Sequence, residues 1–263
     1  MTALDATGLR YSYPDGTLAV DGVDVTVETG ERVALLGPNG AGKSTVLQLL
    51  GGLIDPDAGT VRYFDETTDA DAVRDRLSVL TQNPADYLFN PTVREDLRYG
   101  PAQQDRSESE VDRRVERVAD RLDLGELLSK PPFRLSGGQQ RRAALASALT
   151  VEPDLLLLDE PVSNVDAANR AEVLALFSEL AADGVTLVTS TPDTELVAHV
   201  ADRVVLFDET GTVAARGSTR EILTDTELLT DCDLRPPQVV RLFDGRGDIP
   251  LTVAEARRRL DER

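Results

Sequence analysis

The chain has 263 residues, enough for one large domain or a core with a small appendage, and for a sizeable buried interior. Its 47 acidic and 28 basic residues leave a net charge of −19, a surface that repels phosphate backbones and argues against a nucleic-acid partner. The polar N-terminus, and the lack of any apolar run near the roughly 18 residues a spanning helix needs, predict a soluble chain with neither a secretory signal nor a transmembrane helix. The single cysteine, Cys232, rules out an internal disulfide, fits a reducing cytoplasm, and in its polar stretch is expected to be incidental. Only Lys43 and Lys130 are lysines. Such an acidic excess is tolerated where salt screens self-repulsion, the Debye length being about 3 Å at 1 M, and it predicts a salt-accumulating cytoplasm, the alternative being an ordinary acidic protein from a GC-rich genome.

Leu4 to Tyr13 alternates as a strand, Pro14-Asp15-Gly16 has turn chemistry, and Val23 to Glu28 alternates strictly, which predicts an antiparallel β layer. Tyr13, at the end of the first strand, is the aromatic expected against an adenine ring, and one of Tyr11 and Tyr13 is expected to be packed. The apolar run Val33 to Leu36 leads into Gly37-Pro38-Asn39-Gly40-Ala41-Gly42-Lys43-Ser44-Thr45 and then the helical pattern Val46 to Leu50. Strand, Gly-rich loop and helix form a cradle for a polyphosphate, with backbone N–H groups turned inward at a helix N-terminus. Lys43 is expected at the β- and γ-phosphates, the Ser44 hydroxyl at Mg²⁺, and Thr45 at the α-phosphate.

Gly59 to Tyr63 and Leu77 to Leu80 read as strands separated by an acidic helix from Asp69 to Arg76. Gln82, at the end of the second strand and just before Pro84, can ligate Mg²⁺ or position water. Thr92 to Tyr99 and Glu108 to Leu124 are helical, the latter with a capping box of Ser107 and Glu110. Ser136-Gly137-Gly138-Gln139 opens a helix reaching about Leu149, with Ser136 as N-cap and first-turn N–H groups bare for an anion. Leu155 to Leu158 is a buried strand ending in Asp159 and Glu160; Asp159 suits Mg²⁺ and Glu160 suits polarising an attacking water.

In these motifs the chain closely resembles the ATP-binding subunits of ABC transporters over residues 1 to about 225. Gly37 to Thr45 match the Walker A motif, Leu135 to Gln139 the signature, and Leu155 to Glu160 Walker B with its catalytic glutamate. Gln82, Tyr13 and Ser163-Asn164-Val165-Asp166 fall at the family's Q-loop, A-loop and D-loop. The resemblance implies an α/β P-loop NTPase fold, with a RecA-like mixed sheet, an N-terminal antiparallel β layer, a helical subdomain over about 84–150 and a short C-terminal helical extension over 226–263. It further implies that two subunits pack head to tail, so that Ser136, Gly137, Gly138 and Gln139 serve the partner's ATP while Asp166 communicates across the interface. One position departs from the family: Pro192 stands where a switch histidine is usual, with Thr191 expected to cap the next helix and Pro192 to open it. His199, the only histidine, is expected to pack on or flank that helix.

The run Gln82 to Asp86 with Leu88-Phe89, Val93, Glu95-Asp96 and Gly100-Pro101 is similar to the ATPases of energy-coupling factor transporters and their cobalt and nickel relatives. The C-terminal stretch Arg235 to Leu242, followed by Pro250-Leu251-Thr252 and a helix from Val253 to Glu262, is similar too. That resemblance implies pairing through the C-terminal regions, a transmembrane coupling protein, a substrate-binding membrane subunit, a vitamin or transition metal ion as cargo, and a peripheral place on the cytoplasmic face of the membrane. A soluble ABC ATPase without a transport role, or a slow-site member of a heterodimeric pair, is the alternative. The charge makes one prediction directly: refolding yield should rise steeply as KCl is raised from dilute buffer to the molar range, and full recovery in dilute buffer would overturn the halophilic reading.

Overall fold

The computed structural model describes residues 1–163, 167–245, 247 and 249–261, the side chains of 167–169 excepted. Two sheets organise it. The first is built from β1 (Thr2–Ser12), β2 (Leu18–Glu28) and, beyond β3 (Arg32–Leu36) and α1 (Lys43–Leu50), β4 (Ala58–Tyr63), in the antiparallel order β2-β1-β4. The expected antiparallel layer is therefore completed by a strand that follows the Gly-rich loop. Gly59 permits this closure, since a Cβ there would lie 2.5 Å from the Gly8 carbonyl oxygen on β1.

The second sheet adds to β3 the strands β5 (Leu77–Leu80), β6 (Leu155–Asp159), β7 (Thr186–Thr191), β8 (Arg203–Phe207) and β9 (Val213–Ser218), in the order β5-β6-β7-β3-β8-β9. All pairs are parallel except β8 with β9 at the edge. Its inner strands are buried on both faces, which is why they read as unbroken apolar runs. Alternation of side chains then divides the interior. Leu155 and Leu157 join Leu4, Val25, Leu35 and Leu47 beneath the antiparallel layer, while Leu156 and Leu158 join the helical side.

That side holds α2 (Val93–Ala102), α3 (Glu108–Arg121) and α4 (Gly137–Leu149), then α5 (Ala167–Ala182), α6 (Thr194–Val200), α7 (Thr219–Thr224), α8 (Thr226–Asp231), α9 (Gln238–Phe243) and α10 (Val253–Asp261). None of the described helices is long and apolar enough to cross a membrane.

Two local expectations are corrected. The acidic stretch from Asp69 to Arg76 forms only a 3-10 turn over Asp71–Val73, because Val73 alone gives it a buried face. Ser107 caps α3 by accepting from Glu110 N, but the Glu110 carboxylate turns to Arg113 and Arg114, so only half of a capping box forms. Cys232, expected to be incidental rather than reactive, is buried in the helical-side core, and burial raises its thiol pKa, which disfavours the reactive thiolate.

Arg114 fastens α3 to the turn that follows α4. It is 4% exposed, and its guanidinium donates to Glu110 Oε1 at 3.2 Å, Gln104 Oε1 at 3.1 Å and Val151 O at 3.2 Å. Removing it would leave the Val151 and Thr150 carbonyls and the Gln104 side chain without this donor, while the partly exposed Glu110 carboxylate can turn to water, so Arg114→Leu is expected to lower stability by about 1–3 kcal/mol. Urea unfolding checks this, and a loss below about 1 kcal/mol, the scale of an exposed pair, would contradict it.

Candidate nucleotide site

The C-terminal ends of β3, β6 and β7 lie side by side, and there the apolar strands give way to polar groups, the usual place for a ligand on an open α/β sheet. The loop leaving β3 is shaped by glycines at the points where nothing larger fits. Gly42 is the N-cap of α1 with φ 73°, and a Cβ on it would lie 2.2 Å from the Ala19 carbonyl oxygen. A Cβ on Gly37 would meet Phe207 at 2.9 Å. Lys43, the first residue of α1, is buried, and its Nζ donates to the Pro38 carbonyl at 2.7 Å. Burial lowers its pKa, while the carboxylates of Glu160 and Asp159 act in the opposite sense. A buried ammonium hydrogen-bonded to a carbonyl, beside a glycine cradle at a helix N-terminus, fits a polyphosphate.

Asp159 closes β6 and is 4% exposed. Its Oδ1 accepts from Ser44 Oγ at 3.0 Å and from Ser190 Oγ on β7. These oxygens are the donor type a hard divalent cation takes, so the pair fits Mg²⁺. Glu160, next along, has φ 45°, and its N–H donates to Ser190 O at 3.1 Å. This left-handed turn takes the chain off the strand direction, and the Glu160 carboxylate accepts from Gln82 Nε2 at 3.1 Å.

Tyr13, Asn39, Gly40, Gly42, Lys43, Ser44, Thr45, Gln82 and Glu160 all line one open cavity of about 480 Å³. Tyr13 stands half exposed at its rim, edge-on to Tyr11 with ring centroids 5.3 Å apart. Its hydroxyl is hydrogen-bonded to Thr45 Oγ1 at 2.8 Å, so Thr45 is already engaged in this state.

The signature residues stand apart from that cavity. Ser136 caps α4 in a full capping box, accepting from Gln139 N at 3.3 Å while its own N–H donates to Gln139 Oε1 at 3.0 Å. Ser136 and Gly137 are exposed. Of the D-loop stretch only Ser163 can be placed, because Asn164, Val165 and Asp166 lie outside the described residues. At the expected switch position, Asp193 rather than Thr191 caps α6, so Pro192 precedes the cap instead of opening the helix. His199 is exposed near the end of α6.

One participant escapes the sequence reading. Arg141 on α4 donates to Gln82 O at 3.2 Å and to Ser163 Oγ at 2.9 Å, with the Glu160 carbonyl at 3.5 Å, tying the signature helix to the strand ends of the same subunit. Burial lowers the pKa of its guanidinium, with the Glu160 carboxylate opposing. The Arg141-Arg142 pair directly after the signature glycines was the available signal.

A Gly-rich strand–loop–helix, a strand-end acid pair and a capped helix bearing Ser-Gly-Gly-Gln define a P-loop ATPase of the cassette type. The ABC transporter family pattern matches residues 20–163. The energy-coupling factor transporter ATP-binding protein EcfA of Methanosphaera stadtmanae is 38% identical over 97% of this chain and 96% of its own length. The cobalt import ATP-binding protein CbiO of Rhodobacter capsulatus is 43% identical over 93% of this chain and 89% of its own. Among solved structures, cbiO1 of Clostridium perfringens, part of a cbiONQ transporter complex, superposes with TM-score 0.76 and 30% identity, covering 92% of this chain and 99% of that one. A bacterial ABC transporter cassette solved as a dimer gives TM-score 0.74 at 28% identity, covering 82% of this chain and 99% of that one. The chain thus belongs to the ABC transporter family, as an ATP-hydrolysing ATPase of the energy-coupling factor and cobalt-importer type.

The glycine geometry yields a paired test. Gly42→Ala is expected to abolish ATP binding and lower the unfolding midpoint. Gly40→Ala, where a Cβ meets nothing within 4 Å, should cost only the left-handed strain of about 1–2 kcal/mol. Titration calorimetry and thermal unfolding check both, and wild-type ATP binding by Gly42→Ala would contradict the close-approach argument.

Proposed function

We propose that this chain binds ATP with Mg²⁺ in the cavity between Tyr13 and Glu160, and that its hydrolysis drives a membrane importer of a vitamin or transition metal ion. The observation that carries the reading is the joint placement of Lys43, Ser44, Gln82 and Glu160 on one cavity, with Asp159 held against Ser44. Tyr13 takes the adenine, the backbone from Gly37 to Gly42 wraps the phosphates, Lys43 neutralises the β- and γ-phosphates, and Thr45 serves the α-phosphate once Tyr13 releases it. Ser44, Asp159 and Gln82 are the oxygen ligands available to Mg²⁺, which when bound would neutralise charge developing on the phosphates. Glu160 accepts a proton from the attacking water, and Gln82, already in hydrogen-bond contact with it, positions that water.

The exposed signature turn, Ser136 to Gln139, is in this reading the anion site offered to the ATP of a second subunit. Its N–H groups lie at a helix start and its residues lie outside this chain's own cavity. Residues 1–225 act as the ATPase domain and 226–263 as an extension contacting the partner ATPase. The coupling and substrate-binding subunits are membrane chains that choose the cargo, placing this subunit peripherally on the cytoplasmic face. Similarity to a cobalt import ATPase and to a component of a cbiONQ complex supports this assignment. Pro192 supports a further possibility of pairing, with a different ATPase whose own site is complete, because it brings no side-chain donor to this one.

Mg-ATP hydrolysis by the purified chain in molar KCl tests the reading. Glu160→Gln is expected to reduce turnover by about 10²–10⁴-fold while ATP still binds. Equal turnover by the wild type and Glu160→Gln would overturn the assignment of Glu160. Pro192→His is expected to raise turnover of the isolated chain; an unchanged rate would mean that loss of the histidine is not what limits it.

A further inference from the structure

Next to the nucleotide cavity, and sharing Asn39 with it, is a second hollow of about 540 Å³. One side is the phosphate-loop tip at Pro38 and Asn39, another is Pro192, and the third is the C-terminal stretch carrying Arg235 and Arg241. Two hydrogen bonds fix that stretch against the first turn of α6. Thr194 Oγ1 donates to Arg235 O at 2.7 Å, and Gln238 N donates to Glu195 Oε1 at 2.6 Å.

The charges facing the hollow are unevenly committed. Asp193 caps α6 and pairs with Arg170 at 2.7 Å, and Glu195 is held by Gln238. Asp233 remains, exposed at the edge. Neither Arg235 nor Arg241 has a hydrogen bond or ion pair for its guanidinium among the described residues. Both side chains are exposed, so water can solvate them, and in a chain with 47 acids they bring to the hollow two guanidinium groups that are free to receive an anion. Pro192, between them and the loop, supplies neither an N–H nor a side-chain donor.

We propose that Arg235 contacts the terminal phosphate of ATP bound at the phosphate loop, reaching it through this hollow. The C-terminal extension thereby contributes to its own subunit's nucleotide site. The inference rests on the ATP reading above and deepens it. Arg235 is favoured over Arg241 because its own carbonyl is hydrogen-bonded to Thr194, two residues after Pro192, whereas Arg241 lies further along on α9. A planar fork of donors suits phosphate oxygens and gives a contact that ADP cannot make.

The test compares ATP and ADP affinity by titration calorimetry in a Glu160→Gln background, where ATP is not consumed, with thermal unfolding read for each variant. Arg235→Gln is expected to weaken ATP binding about tenfold and leave ADP binding unchanged, the size of one lost hydrogen bond to a charged group. Arg235→Lys should recover part of the loss, and Arg241→Gln should change neither affinity. Equal weakening of ATP and ADP would assign Arg235 to the scaffold and overturn the proposal, as would no change in either, or an ATP-selective loss in Arg241→Gln alone. Failure of the Glu160→Gln parent to bind any nucleotide would overturn the ATP reading and this inference together. Normal ADP binding with no Arg235 effect would overturn only the latter.

Discussion

The site depends on one shared oxygen, Asp159 Oδ1, which accepts from Ser44 Oγ at the head of α1 and from Ser190 Oγ on the adjacent strand. A carboxylate that is 4% exposed at the end of four buried leucines is costly unless its lone pairs find donors, and these two hydroxyls supply them. Register makes the arrangement unique. Asp159 pairs with Ser190 in the parallel ladder, and a slip of one residue would carry the acid away from Ser190 and Ser44 and turn it to the opposite face of the sheet. The same packing that buries the strand therefore sets the position of its terminal charge.

From that junction the geometry spreads through backbone as much as through side chains. The left-handed conformation of Glu160, held by its N–H to Ser190 O, sets its carboxylate beside Gln82, which lies just beyond the neighbouring strand β5. Arg141 gathers the Gln82 carbonyl and the Ser163 hydroxyl from the other direction. A movement of the segment after β5 cannot leave α4 unaffected while those bonds hold. The phosphate-facing and signature-facing parts of one subunit are thus mechanically joined through one guanidinium, and a second tie, Arg114, anchors the same helical insertion further out.

Much of this was legible because its determinants are local. Gly42 and Lys43 are specified by a backbone turn and a helix start, Ser136 and Gln139 by cap chemistry, and the buried strands by apolar runs with polar ends. What the sequence concealed depends on partners distant in the chain. Glu110 spent its carboxylate on Arg114 instead of its cap, the acidic stretch near Asp71 had too little apolar face to sustain a helix, and Cys232 was drawn into the core by helices α7 to α9 packing back on the sheet. Arg141 was missed for the same reason: its contacts with Gln82 and Ser163 bridge elements with no sequence pattern linking them.

A chain of net charge −19 that binds a polyanion faces repulsion at long range and needs attraction at short range. The two act over separable distances. At molar salt the Debye length is about 3 Å, so the acidic surface ceases to repel an approaching nucleotide, while buried groups are screened much less. One of the only two lysines, Lys43, is buried at the head of α1 beside the glycine cradle, and the helix dipole and glycine N–H groups there add potential without adding surface charge. An acidic exterior and an anion-binding cleft are compatible because salt screens the exposed charges far more strongly than the buried Lys43.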